Sequence, residues 1–145
     1  MDIYIDGSTT ITCIIFGDET PIVKHALDGH TVTVNEGEYL ALIWALNEAK
    51  RRNLTDLKVF SDSQLLVRQL TGQYQTKALN LKFLNGIAKS LSLHFKSFTI
   101  NWLPREQNPA GLYLDKVKTT ARRLLRGAVE DDSGERRYLD IQHRG

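Results

Sequence analysis

Three carboxylates stand where an apolar segment of the chain gives way to a turn or begins a helix: Asp6 in YIDGS, Glu38 in TVNEGEYLAL and Asp62 in VFSDS. Each has an ordinary explanation when taken alone. Asp62 could cap the free amides of a helix starting beside it, and Glu38, in a first helical turn, is favoured there by the helix dipole. At one edge of a sheet, however, three unpaired carboxylates repel. A hard divalent cation relieves such a cluster, and magnesium in particular is held by a few carboxylates while keeping waters for a substrate phosphate. Two such ions about 3.5–4 Å apart activate a water and stabilise the leaving oxygen of a phosphodiester. The expected chemistry is metal-assisted phosphoryl hydrolysis with Asp6, Glu38 and Asp62 as ligands.

The elements around these acids must bring them to one edge. DIYIDGS, TITCIIFGD and PIVKHALDG read as three strands, rich in β-branched residues and separated by Gly, Asp and Pro turn signals. From Glu36 the period changes: Tyr39, Leu42, Ile43, Leu46 and Ala49 form one apolar stripe, which predicts a helix over about 36–52. LKVFSDS is a short buried strand, SQLLVRQLTG a helix stopped near Gly72, and ALNLKFLNGIAKSL a third helix. FKSFTINWLP adds a last strand, and from Pro109 a fourth helix carries a stripe of Leu114, Val117, Ala121 and Leu124. The order β-β-β-α-β-α-α-β-α predicts an α/β fold, a mixed five-stranded sheet with helices packed on it. One domain is expected over residues 1–126. Residues 127–145 form a C-terminal tail that either docks through Val129, Tyr138, Leu139 and Ile141 or stays flexible.

Composition narrows the class. At 145 residues the chain can bury a core without disulfides or a structural metal. No apolar run approaches the roughly 20 residues of a membrane span, so no membrane partner is expected. The opening MDIYIDGS lacks the basic flank and long apolar core of a signal peptide, and the single Cys13 cannot form an internal disulfide; both point to a reducing cytoplasm. A net charge of +2 does not by itself announce a nucleic-acid binder. The cations in AKRRN, KVKTTARRLLR and ERR have the plain reading of solvated helix faces.

YIDGS, TVNEGEYLAL and VFSDSQLLV, in this order and on these elements, resemble the first Asp motif, the helix-borne Glu motif and the second Asp motif of type 1 enzymes in the ribonuclease H superfamily. The resemblance covers roughly residues 1–126. It implies a ribonuclease H-like fold and an endonuclease that cuts the RNA strand of RNA–DNA hybrids with magnesium or manganese, as two ions. Position by position it implies Asn35 and Gln64 as minor-groove contacts and Thr33 as a contact to a DNA-strand phosphate. Amides suit that role, because an A-form-like minor groove offers 2′-hydroxyls and base edges. From sequence alone, Asn35 reads equally as a helix cap and Gln64 as an exposed helix position.

The chain also departs from the family pattern. Where the family has Asn, two residues and then Ala-Asp, Asn108 is followed by Gly111 and Leu112, so the fourth aspartate is a leucine. A loop histidine that serves some members as a proton carrier is absent from WLPREQN, where Arg105 or Glu106 could take a related role or be loop surface. A basic protrusion that grips hybrid in some relatives is not evident in TKALNLKFLNGIAKSL, and no hybrid-binding module is expected before Met1. Asp115 follows Leu112 by three positions, within roughly 60° of the same helix face and about one turn further on. It is expected to replace the missing fourth ligand, with Gly111 allowing a close approach. The alternative is a surface pair with Lys116 or Lys118, worth roughly a few tenths of a kcal/mol.

The expected function is a two-metal endoribonuclease acting on RNA–DNA hybrids. The alternative is a non-catalytic ribonuclease H-like module that binds nucleic acid or protein. The sequence gives no signal for oligomeric state.

Overall fold

The computed structural model describes residues 1–130. In β1 (Asp2–Gly7), Ile3 and Ile5 are fully buried and Tyr4 between them is partly covered, which marks a strand packed on both faces. It lies at the centre of the sheet. On one side it pairs antiparallel with β2 (Ile11–Phe16), which pairs antiparallel with β3 (Ile22–His25). On the other it runs parallel to β4 (Asp56–Ser61), which is parallel to β5 (Ser97–Trp102). The sheet order is β3-β2-β1-β4-β5, the mixed five-stranded sheet that the sequence predicts. Because β1 and β4 are parallel, with Ile5 opposite Ser61, their C-terminal ends meet at one edge. Asp6 and Asp62 lie at that edge for this reason alone.

Helix α1 (Val34–Arg51) connects β3 to β4 and packs on β1 and β2. Its predicted stripe of Tyr39, Leu42, Ile43, Leu46 and Ala49 is buried throughout. The helix starts at Val34, two residues before the sequence expectation, because Thr33 forms a capping box with Glu36. The Thr33 hydroxyl accepts the Glu36 amide at 3.1 Å, and the Glu36 carboxylate accepts the Thr33 amide at 2.8 Å. At its other end, Arg51 pairs with Glu48, and Arg52 with both Glu48 and Glu19, so these cations of the AKRRN run tie down the helix end.

Two further helices, α2 (Gln64–Leu70) and α3 (Leu79–Ser92), follow β4. Gly72, with φ +82°, takes the left-handed conformation that ends α2, as its position suggested. A buried chain of hydrogen bonds joins the three helices: the Tyr39 hydroxyl donates to Gln69 at 2.7 Å, and the Asn85 amide donates to Tyr39 at 3.1 Å. It fixes the turn of α1 that carries Glu38.

A short 3-10 turn, Arg105–Gln107, leads from β5 into α4 (Pro109–Glu130). On the opposite sheet face, Ala110 and Leu114 at the start of α4 pack on Cys13 and Ile15. The chain divides into two compact units, Met1–Leu114 and the residues from Asp115 on. Within the second, Ala121 and Leu124 of the predicted stripe are exposed, and α4 runs past Gly127 to Glu130. The predicted tail anchors Tyr138, Leu139 and Ile141 lie outside the described residues.

Candidate metal centre

A Cβ on Gly7 would meet the carbonyl oxygen of Gly37 at 2.0 Å, and one on Gly37 would meet the carbonyl oxygen of Ser8 at 2.0 Å. Only residues without side chains let the first turn of α1 lie against the end of β1 this closely. That approach sets Glu38 beside Asp6, and the Glu38 carboxylate accepts the Gly7 amide at 3.1 Å. The glycines of YIDGS and NEGE are thus as necessary to the site as the acids beside them.

One carboxylate oxygen each from Asp6, Glu38 and Asp62 lies within 4.8 Å of the other two, so the predicted cluster forms. Asp6 and Glu38 are buried and Asp62 is partly buried. Burial, then the charges of Asp6 and Asp62, push the Glu38 carboxyl up to about 9; the Gly7 amide and the Arg105 guanidinium only partly offset this. Hard carboxylate oxygens, crowded until one of them resists ionisation, fit a divalent cation of the magnesium or manganese kind. Among the described residues, this is the one such group of acids.

The competing reading of Asp62 as a helix cap is removed. Ser63 caps α2, its hydroxyl accepting the Leu66 amide at 3.1 Å, while the Asp62 side chain turns toward the other acids. Asn108 holds it there: its amide nitrogen donates to Asp62 Oδ2 at 2.7 Å and to the Ile5 carbonyl at 3.0 Å. The Asn108 oxygen accepts the Ala110 amide at 3.2 Å, so this fully buried residue also starts α4. The sequence signal for it was Asn before Pro, the pattern of a cap followed by a first helical proline.

Arg105 is the residue whose placement the sequence did not reveal. Its Nη1 donates to Asp6 Oδ1 at 2.8 Å and to Asp62 Oδ2 at 3.2 Å, inside the carboxylate group. A guanidinium stays charged at any ordinary pH, so Arg105 supplies positive charge and cannot stand in for a proton-carrying histidine. Glu106, the other loop candidate, is exposed.

The predicted substrate contacts lie at the surface. Asn35 and Gln64 are exposed in the first turns of α1 and α2, and Asn35 does not cap its helix, since Thr33 does. Thr33 is exposed as well, and a hydroxyl that accepts a capping bond can still donate its proton. Trp102, overlooked in the sequence, is exposed at the end of β5, where its indole donates to the Asp62 carbonyl at 3.1 Å. Leu112, at the family's fourth-acid position, is 49% exposed. Asp115 is exposed and begins the second unit.

Residues 12–114 match a protein family described as reverse transcriptase-like. A ribonuclease HI of Halobacterium salinarum is 37% identical over 76 residues, which make up 52% of this chain and 38% of that protein. A bifunctional protein of Mycobacterium tuberculosis is 33% identical over 89 residues, 61% of this chain and 24% of that protein. The matched segment therefore spans only 24% to 38% of the length of these curated relatives. The crystal structure of RNase H1 from Halobacterium salinarum matches with a TM-score of 0.66 and 28% identity, over 75% of this chain and 89% of that one. That of LC11-RNase H1 in complex with RNA/DNA hybrid matches with a TM-score of 0.65 and 25% identity, over 74% and 88%.

Proposed function

From the premise that the chain belongs to the ribonuclease H superfamily, as a member of its reverse transcriptase-like family, we propose that it is a divalent-metal-dependent endoribonuclease that hydrolyses the RNA strand of RNA–DNA hybrids. The observation that carries this reading is the convergence of Asp6, Glu38 and Asp62 within 4.8 Å. Two magnesium or manganese ions bound there would supply an activated water and positive charge for the leaving oxygen. Asp6 and Asp62 would hold them from the ends of two adjacent strands. Glu38 must give up its proton to ligate, and Asn108 keeps the Asp62 carboxylate oriented from behind. Asp115 is proposed as the fourth carboxylate on its helical spacing from Leu112 alone.

The proposed substrate is a hybrid duplex, and one similar protein, LC11-RNase H1, has been crystallised with RNA/DNA hybrid. Asn35 and Gln64 would read 2′-hydroxyls and base edges in the minor groove, while the Thr33 hydroxyl would meet a phosphate of the DNA strand. We place the protein in the cytoplasm. The supporting fact is the single, buried Cys13, which has no second cysteine in the chain to form a disulfide with.

A second reading, a non-catalytic module that binds nucleic acid or protein, is favoured by Leu112 at the fourth-acid position. Incubation with hybrid, duplex RNA and duplex DNA, each with magnesium, manganese or EDTA, separates the two. Cleavage of hybrid alone that EDTA stops supports the nuclease; tight binding without cleavage supports the module.

A further inference from the structure

We propose that Arg105 is a built-in counter-ion of the carboxylate site: its guanidinium holds one cation position and must swing out before a divalent ion enters there. The inference rests on the reading of Asp6, Glu38 and Asp62 as metal ligands. Nη1 of Arg105 reaches Asp6 Oδ1 at 2.8 Å and both oxygens of Asp62, at 3.2 and 3.4 Å. One nitrogen thus bridges the two strand-end acids, the position in which a shared cation would draw on both.

The seat for this guanidinium is shaped by Gly111. A Cβ there would meet Arg105 Nη1 at 2.8 Å, Cζ at 2.9 Å and Asp62 Oδ2 at 3.0 Å. Any side chain at this position would push the guanidinium away from Asp62. One methyl fewer at this position leaves the site room for an internal cation.

Arg105 is also able to leave. Its side chain is 38% exposed and stands on a short turn, so rotation about its own bonds carries the head to solvent without moving a strand or helix. It sets one positive charge against the two carboxylates of Asp6 and Asp62, which leaves the pair short of neutral. A doubly charged ion can therefore displace it, at reduced apparent affinity.

The test is Mn2+ binding by calorimetry, together with the melting temperature in EDTA and in Mn2+, for the wild type and for Arg105→Ala, Gly111→Ala, the double variant and Asp6→Asn. Arg105→Ala should bind Mn2+ more tightly, on the order of tenfold. It should melt lower in EDTA yet gain more from Mn2+ than the wild type does. Gly111→Ala should also tighten binding, but add nothing once Arg105 is gone. Equal or weaker Mn2+ affinity in Arg105→Ala overturns the proposal, as does an equal loss of melting temperature with and without Mn2+, the mark of a purely structural residue. If Arg105→Ala is unfolded in EDTA, refolding on Mn2+ addition supports the proposal and failure to refold overturns it. Binding that survives Asp6→Asn defeats the metal-site reading and this inference with it. Binding that needs Asp6 but ignores Arg105 defeats the inference alone.

Discussion

Gly7 and Gly37 pack backbone to backbone, so closely that a methyl on either would lie 2.0 Å from a carbonyl oxygen of the other segment. Gly37→Ala should therefore destabilise the protein by on the order of 3 kcal/mol, since the obstacle is backbone and cannot rotate aside. It should weaken metal binding as Glu38 is driven from Asp6. Gly86→Ala in α3, with open space around it, is the control and should gain about 0.5–1 kcal/mol. Urea denaturation of both variants checks the contrast, and equal stability in the two would refute the close approach.

Asp62→Asn should abolish cleavage while leaving the melting temperature near that of the wild type, because Ser63 caps α2. Ser63→Ala should do the reverse, losing about 1 kcal/mol of stability and keeping activity. Full activity in a folded Asp62→Asn protein would sink the metal-site reading.

Glu38 gives a pH signature. Its folded value, about 9, lies above the ordinary carboxyl range, so in that interval the native state holds a proton that the unfolded state has lost. Metal-free stability should therefore fall as pH rises toward 9, and Glu38→Gln should flatten the slope. A bound divalent ion requires the carboxylate, so Mn2+ binding should tighten over the same window and release a proton. Denaturation in EDTA across pH, with calorimetry in two buffers of different ionisation enthalpy, measures both effects. A flat wild-type profile would mean that Glu38 is ionised throughout.

Asn35→Ala with Gln64→Ala should weaken binding to RNA–DNA hybrid more than to duplex DNA, because the proposed contacts include 2′-hydroxyls. The comparison is best made by fluorescence anisotropy at one fixed salt concentration. An equal loss on both duplexes would assign these side chains to phosphates instead.

Asp115→Asn should sharply reduce cleavage and weaken one of two metal-binding events, and Leu112→Asp with Asp115→Ala should restore part of the activity. Unchanged cleavage in Asp115→Asn makes Asp115 a surface charge and leaves a three-carboxylate site.

What the sequence made legible follows from periodicity and order. The α1 stripe and the short apolar strands specify which faces are buried, and the parallel neighbours β1 and β4 then oblige Asp6 and Asp62 to share an edge. Asp62 remained ambiguous because Asp62 and Ser63 are both good capping residues, and only three-dimensional structure shows which one turns back to the helix. Arg105 was hidden for a different reason. Its partner Asp6 lies 99 positions away, and its direction depends on a missing side chain at Gly111, an effect that leaves no periodic trace.

The parallel pairing of β1 with β4 also governs when this site can exist during synthesis. A nascent chain can zip β1 to β2 as a local hairpin, yet Asp6 then has neither Glu38 nor Asp62 beside it. The carboxylates meet only after α1 has crossed over and β4 has docked, a late, long-range event in folding terms. Divalent ions therefore cannot template the early hairpin, and a chain truncated before β4 should show no metal-dependent cleavage.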